Sequence, residues 1–163
     1  MHYTTDMDKN DMPYKQAVLA LVVDDENRFL IVQLNEFADD EWKFISGGLN
    51  EGEELEDGLY RELKEELGLG KDSFELVGKS DRTHKYDFPE ENGKLIDGVN
   101  YRGQEKHQFL LKFVGDKNKI KLLKKEIKAI KWVKFSELRS HLKFPDQFEN
   151  AKNLVLEFNI KTD

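Results

Sequence analysis

The stretch from Gly47 to Leu69, GGLNEGEELEDGLYRELKEELGL, constrains the fold more than any other part of the chain. Leu55, Leu59, Leu63 and Leu67 recur at every fourth position, the spacing of one stripe on an α-helix, so a helix is predicted from about Glu54 to Leu67, with Gly68 ending it. At roughly 100° per residue, Glu62 and Glu66 project within about 20° of Leu55, at the margin of the apolar stripe. Two carboxylates are thereby aimed near the core. Burying adjacent like charges is costly unless something neutralises them, and oxygen-seeking divalent cations such as Mg²⁺ or Mn²⁺ do so directly. Glu62, Glu65 and Glu66, spaced i, i+3 and i+4, can converge on one or more such ions. The Gly47-Gly48 turn lets backbone approach the same ions, which makes a carbonyl of Ser46 or Gly47 a candidate ligand. Arg61, one helical turn before Glu65, is placed to orient Glu53 or Glu65. A Glu- and Lys-rich helix is more commonly a solvated face with surface ion pairs; the inward direction of Glu62 and Glu66 argues against that reading here.

Around this helix the hydrophobic pattern predicts mainly strands. Ala17 to Val23 and Phe29 to Leu34 are continuous apolar runs joined by the turn chemistry of Asp24 to Asn27, a hairpin whose first strand is buried on both faces. A loop from Asn35 to Glu41 leads to Trp42 to Ile45, and Gly47 and Gly48 are expected to break regular structure. Phe74 to Lys79, His107 to Val114 and Ala129 to Lys134 read as further strands, with a long irregular segment, Ser80 to Lys106, between the first two. Ser136 is expected to cap a short helix ending near Leu142, and Asp146 a last one ending near Phe158. The resulting expectation is an α/β fold, a mixed sheet packed between helices, forming one domain over residues 14–163 behind a flexible polar segment, residues 1–13.

Charge and composition narrow the function. A formal net charge of −7 argues against a broad basic face for nucleic acid. An acidic chain can still bind a polyphosphate through bridging metal ions. Cysteine is absent, which excludes thiol chemistry and fits a reducing compartment. No signal-like start and no apolar run of membrane-spanning length occurs, so a cytoplasmic location without a membrane or an obligate protein partner is expected. The eight lysines from Lys117 to Lys134 read as a solvated strand edge, with local steering of an RNA end as the alternative. The four histidines have no metal-ligand spacing.

The glycine, five residues, Glu53, seven residues and then Arg61-Glu62-Leu63-Lys64-Glu65-Glu66-Leu67-Gly68-Leu69 resemble the complete signature of the Nudix hydrolases. Outside it, Tyr14-Lys15, Trp42-Lys43-Phe44-Ile45-Ser46-Gly47-Gly48, Tyr60-Arg61-Glu62, Tyr86-Asp87-Phe88-Pro89, Gly103-Gln104 leading to Phe109, and Glu126 before Trp132-Val133 resemble the branch holding RNA pyrophosphohydrolases and dinucleoside polyphosphate hydrolases. The resemblance implies a Nudix-type α/β/α sandwich with Mg²⁺ held by Glu62, Glu65 and Glu66, Mn²⁺ being able to substitute. It makes Glu126 a further metal ligand or the acceptor of a proton from the attacking water. It also brings Tyr86 against a nucleobase, Lys15 to a phosphate, and Gln104 to the substrate site. Two departures stand out: Ile45 replaces the usual proline, and Lys15 replaces an arginine, exchanging a bidentate fork for a point charge.

The expected activity is metal-dependent hydrolysis of a phosphoanhydride, with a dinucleoside tetraphosphate slightly ahead of the 5′-triphosphate end of RNA. The alternatives are a housekeeping pyrophosphatase for oxidised deoxynucleotides or nucleotide sugars, and a non-catalytic nucleotide-binding regulatory module. The intact set Glu62, Glu65 and Glu66 speaks against the last.

Overall fold

The computed structural model describes residues 7–163. The expected flexible N-terminal segment lies partly outside the described residues. Within them, Lys9–Asp11 form a 3-10 turn capped by Asp8, and Met12 is buried, so packing begins before residue 14.

The two continuous apolar runs form β1 (Tyr14–Val23) and β2 (Phe29–Leu34). From Ala17 onward β1 is buried at every position, because helices cover both faces of the sheet. Asp24 closes the connection between them: its carboxylate accepts from the backbone of Glu26 and Arg28 and pairs with Arg28 and Lys117. These contacts hold its pKa below the ordinary value although burial opposes them.

A correction follows at the glycine pair. Gly47 and Gly48 do not break regular structure; they lie in β3 (Ile45–Gly48), antiparallel to β1 with Ala17 opposite Gly48 and Ala20 opposite Ile45. Gly47 is required in the strand because helix α1 (Leu55–Leu67) lays the Glu62 carboxylate directly on it, where a Cβ would collide. Leu59, Leu63 and Leu67 are fully buried beneath α1 against Val18, Ala20 and Val22, each contributing about 1.5–3 kcal/mol. Glu56 and Asp57 in its first turn and Lys64 in its last complement the helix dipole, and the helix ends at Gly68.

The long segment expected to be irregular is mostly strand. β4 (Phe74–Asp87) runs on for 14 residues beside the later strand β7 (Gly103–Phe113), and between them β5 (Lys94–Ile96) and β6 (Val99–Tyr101) form a separate hairpin. Its turn is Asp97-Gly98, with both residues at positive φ (50° and 82°), the strongest short hairpin signal there is. The far part of β4 carries polar side chains on both faces, so neither alternation nor an apolar run marks it, and register shifts near Gly78 and after Lys79 interrupt the period further.

β8 (Ile127–Val133) pairs with β2, and the sheet order is β4-β7-β1-β2-β8, with β3 on β1 and β1 parallel to β7. Two helices, α2 (Phe135–His141) and α3 (Gln147–Glu157), cover the face opposite α1, packing on Leu19, Leu21 and Val23. This is the expected α/β/α sandwich around a mixed sheet. The two capping expectations need correction. Lys134, not Ser136, precedes α2, its N–H donating to Glu137, while Ser136 bonds Asp163. Asp146 does precede α3, but at φ 66° its side chain makes no cap; Gln147 instead accepts from the Phe144 N–H.

Candidate active site

The alternation of β3 divides the site in two. Gly47, opposite Val18, turns its missing side chain towards α1, while Ser46, opposite Leu19, faces the α3 side.

On the α1 side the carboxylates of Glu62 and Glu66 are almost completely enclosed, with relative exposures of 4% and 3%, whereas Glu65 is partly exposed. Arg61 ties this group to the preceding loop. Its guanidinium grips Glu53 bidentately, with Nε–Oε2 and Nη2–Oε1 both 2.8 Å. It also donates to the Gly48 carbonyl (2.8 Å), to Glu62 (3.1 Å) and to Glu65 (3.2 Å). Glu53 in turn accepts from the Asn50 N–H, and its pKa is lowered chiefly by the Arg61 bond. Arg61 therefore braces the β3 end, the loop and α1 as one unit, and touches two of the three acids.

The third acid is left under-satisfied. Among the described residues Glu66 Oε2 is buried without any hydrogen-bond partner, and burial pushes the Glu66 carboxyl up to about 7. The centre of the cluster is held by the ammonium of Lys124, 3.3 Å from Glu62, 3.4 Å from Glu65 and 4.0 Å from Glu66. Burial disfavours the Lys124 charge, but Glu62, Glu66 and Glu65 more than offset it and raise the pKa. Among the described residues no three acidic groups converge closely enough to hold an ion as they stand. The chemistry of the donor set nevertheless fits a divalent cation: three carboxylates surround one positive centre, one buried oxygen lacks a partner among the described residues, and Gly47 lets the strand backbone lie close against the Glu62 carboxylate. Lys124 stands where such a cation would neutralise them.

Lys124 was not singled out in the sequence, whereas Glu126, two residues later on the same loop, was. The structure does not bring Glu126 to the cluster. It is exposed, its side chain makes no hydrogen bond or ion pair among the described residues, and its carbonyl accepts from the Asn35 N–H (2.7 Å). The loop crosses the end of α1, where the Lys121 N–H reaches the Leu67 carbonyl (2.8 Å), and this delivers Lys124 rather than Glu126.

On the α3 side a cleft of about 320 Å³ opens against Ser46 and Gly47. Tyr86 and Gln104 line it, together with Phe37, Phe144, Lys43 and Lys106. Tyr86 is backed edge-on by Phe88 and carries the Lys106 ammonium 5.8 Å from its ring centre. Lys15 is not on this lining; it lies along Gly48, its ammonium 5.5 Å from the Tyr101 ring. Lys43 and Lys106 are the cleft residues that the sequence did not reveal. Each is one lysine among many, and only the pairing of β7 with β1 and the Val32–Lys43 bridge to β2 bring them to one place.

Comparison with known proteins agrees with this geometry. The family model described as NUDIX domain matches residues 13–156. The chain is 28% identical over 154 residues to an RNA pyrophosphohydrolase of Sphingopyxis alaskensis, covering 93% of this chain and 97% of the relative. It is 32% identical over 156 residues to one of Erythrobacter litoralis, covering 93% and 94%. Among solved structures, the dihydroneopterin triphosphate pyrophosphohydrolase of E. coli superposes with a TM-score of 0.67 at 20% identity, over 89% of this chain and 99% of that one. An Ap4A hydrolase of C. elegans does so with 0.64 at 15%, over 88% and 98%; both likenesses speak for the fold alone. The chain belongs to the Nudix family, whose members generally work with divalent metal ions.

Proposed function

We propose that this chain is a Mg²⁺-dependent pyrophosphohydrolase that cleaves a phosphoanhydride bond of a nucleoside polyphosphate, with the 5′-triphosphate end of RNA as first substrate and a dinucleoside tetraphosphate as second. The observation that carries the proposal is the cluster of Glu62, Glu65 and Glu66 around a single positive centre, with Glu66 Oε2 buried and unpaired among the described residues. RNA is put ahead of the dinucleotide because the relatives called RNA pyrophosphohydrolases match at 28% and 32% identity over nearly the whole chain, whereas the likeness to the Ap4A hydrolase is one of fold.

In this reading Glu62, Glu65 and Glu66 hold the metal, with a carbonyl of Ser46 or Gly47 as a further ligand, and Mn²⁺ can substitute. Bound there, divalent ions polarise the anhydride and bring the attacking water closer to ionisation at neutral pH. Arg61 is a positioning residue: its bidentate grip on Glu53 and its bonds to Glu62 and Glu65 keep the acids aimed while the substrate comes and goes. Lys124 must leave the centre of the cluster as the metal enters. Glu126, exposed on the same loop, takes the proton of the attacking water or acts as an additional ligand only if the loop swings inward as Lys124 leaves. Tyr86 offers a ring for a nucleobase at the cleft wall, Gln104 an amide beside it, and Lys15 a positive charge near Gly48 for a phosphate.

Incubation with Mg²⁺ and a panel of triphosphorylated RNA, dinucleoside tetraphosphate, oxidised deoxynucleotides and nucleotide sugars, followed by separation of products, tests this reading. Release of pyrophosphate or phosphate from the RNA end is expected to be fastest. Faster turnover of the mononucleotides would replace the substrate assignment, and no product from any member would remove the catalytic reading.

A further inference from the structure

Buried and half-buried charges in this protein are, as a rule, paired. Asp24 has Arg28 and Lys117, Glu62 has Arg61 and Lys124, and Glu157 has Ser80 and Arg82. Four half-buried lysines break the rule: Lys9, which donates to the Phe88 carbonyl, Lys15, which lies by the Tyr101 ring, and Lys43 and Lys106, the two of the four that share the cleft. Both are half-buried in the cleft, and among the described residues neither has a carboxylate within ion-pair distance. Among the described residues the Lys43 ammonium donates only to Ser46, at Oγ (3.1 Å) and at the carbonyl (3.4 Å). Among the described residues the Lys106 ammonium makes no hydrogen bond; it lies 5.8 Å from the centre of the Tyr86 ring.

The two lysines also share ground. Both border the cleft and a small void beneath it, whose wall includes His84, Gln147 and Asn150. The one carboxylate on the cleft lining, Glu36, is exposed at the rim. Burial, with the Lys43 charge added to it, pulls Lys106 from 10.5 down to about 7, and burial lowers Lys43 as well, although Glu66 and Glu62 act against it there. His84 is likewise held below its usual value by burial and by Lys106. The positions themselves are firmly held. Lys43 exchanges two backbone bonds with Val32 (2.8 and 2.9 Å), and Lys106 lies mid-strand between β1 and β4. Two lysines held rigidly in one cleft with no carboxylate in ion-pair distance among the described residues are a standing cost to the fold when charged, recovered when an anion arrives between them.

We infer that Lys43 and Lys106 form an anion subsite that receives a non-scissile phosphate of the substrate, so that substrates with three or more phosphate groups are preferred over diphosphate-linked ones. The inference rests on the phosphoanhydride reading above and deepens it. Lys43 lines the cleft and its ammonium donates to Ser46, the residue before Gly47, so the subsite adjoins the strand over which the metal-binding acids lie. The shared chemistry is a phosphate mono- or diester anion. It is supplied either by the polyphosphate chain or by the first internucleotide linkage of an RNA.

The test compares steady-state kinetics of the full chain and its Lys106→Gln, Lys43→Gln and Lys106→Arg variants on three substrates: a 5′-triphosphorylated dinucleotide, a nucleoside triphosphate and a nucleoside diphosphate sugar. Lys106→Gln is expected to raise KM on the triphosphorylated dinucleotide about tenfold with little change in kcat, as expected for one lost charge-assisted contact, and to lower the preference for it over the sugar nucleotide. Lys106→Arg should restore most of the loss. A loss on both triphosphates assigns the anion to the chain; a loss on the dinucleotide alone assigns it to the internucleotide phosphate. Without metal or substrate, Lys106→Gln should melt about 2–4 °C higher, because an uncompensated charge has gone. Unchanged KM on both triphosphates together with a lower melting temperature would overturn the inference and make Lys106 structural. If the parent enzyme turned over none of the three substrates, the phosphoanhydride reading would fall separately. Calorimetric binding of inorganic tripolyphosphate to the metal-free chain then decides the subsite, weaker binding by Lys106→Gln supporting it and equal binding ending it.

Discussion

Among the described residues, Glu62, Glu65 and Glu66 crowd round one lysine on the α1 side of β3 and leave a buried oxygen without a hydrogen bond, while on the α3 side Lys43 and Lys106 stand in a cleft whose one carboxylate, Glu36, is out of ion-pair distance. The first group is short of positive charge and the second of negative charge, and four residues of strand separate them. A magnesium polyphosphate carries both missing charges in that order. The comparison teaches that the site is tuned for a ligand whose cation end and anion end are adjacent. Each half is destabilising alone, which is the usual relation between a binding site and the fold that carries it.

The comparison breaks most completely on the acidic side. Glu62→Gln removes a metal ligand without changing the side chain's size, and kcat is expected to fall by roughly 10³-fold or more, with the circular dichroism spectrum of the folded chain unchanged. Retained turnover would take Glu62 out of the chemistry. Arg61→Lys keeps one positive charge but gives up the fork that grips Glu53 and the further bonds to Gly48 and Glu65. Activity at saturating Mg²⁺ should drop by about 10- to 100-fold, the range found when groups supporting metal ligands are lost, with the apparent Mg²⁺ affinity weakened in parallel.

On the cleft side the effects are smaller. Tyr86→Ala removes the aromatic wall backed by Phe88, and KM for a triphosphorylated RNA is expected to rise about tenfold, near the lower end of base-stacking energies, with kcat held. The smallest effect is one of pH. Lys106 titrates near 7 in the folded chain against 10.5 when free, so the unfolded chain binds the extra proton between those values. Stability must then rise with pH across that window for this residue. The melting advantage of Lys106→Gln over the parent should accordingly be largest below about pH 7 and fade towards pH 10.5. An advantage constant with pH would mean that the ammonium carries no penalty.

The acidic half was legible in the sequence and the basic half was not, for a physical reason. Helical spacing places Glu62 and Glu66 beside Leu59 and Leu63 whatever the rest of the chain does, so the α1 stripe and its inward acids follow from local geometry. The buried hairpin β1–β2 is legible for the same reason, as continuous apolar runs with a turn between them. Lys43 and Lys106 meet only through sheet pairing, which single-strand patterns do not specify. The polar far half of β4 hid the strand that carries Tyr86 into the cleft, although Asp97-Gly98 marked the hairpin nearby. Lys124 was lost in a lysine-rich stretch where any of several side chains has the reach. Glu126 was put forward by resemblance and lies exposed on the loop that delivers Lys124 instead.

If Glu62, Glu65 and Glu66 make a metal-dependent phosphoanhydride hydrolase, release of pyrophosphate and phosphate from 5′-triphosphorylated RNA by the parent chain, titrated with Mg²⁺ from a chelated start, is absent in chelator and saturable with Mg²⁺. Glu62→Gln then shows none at any Mg²⁺ concentration. Release that persists in chelator, or that survives in Glu62→Gln, would contradict that role for the three acids.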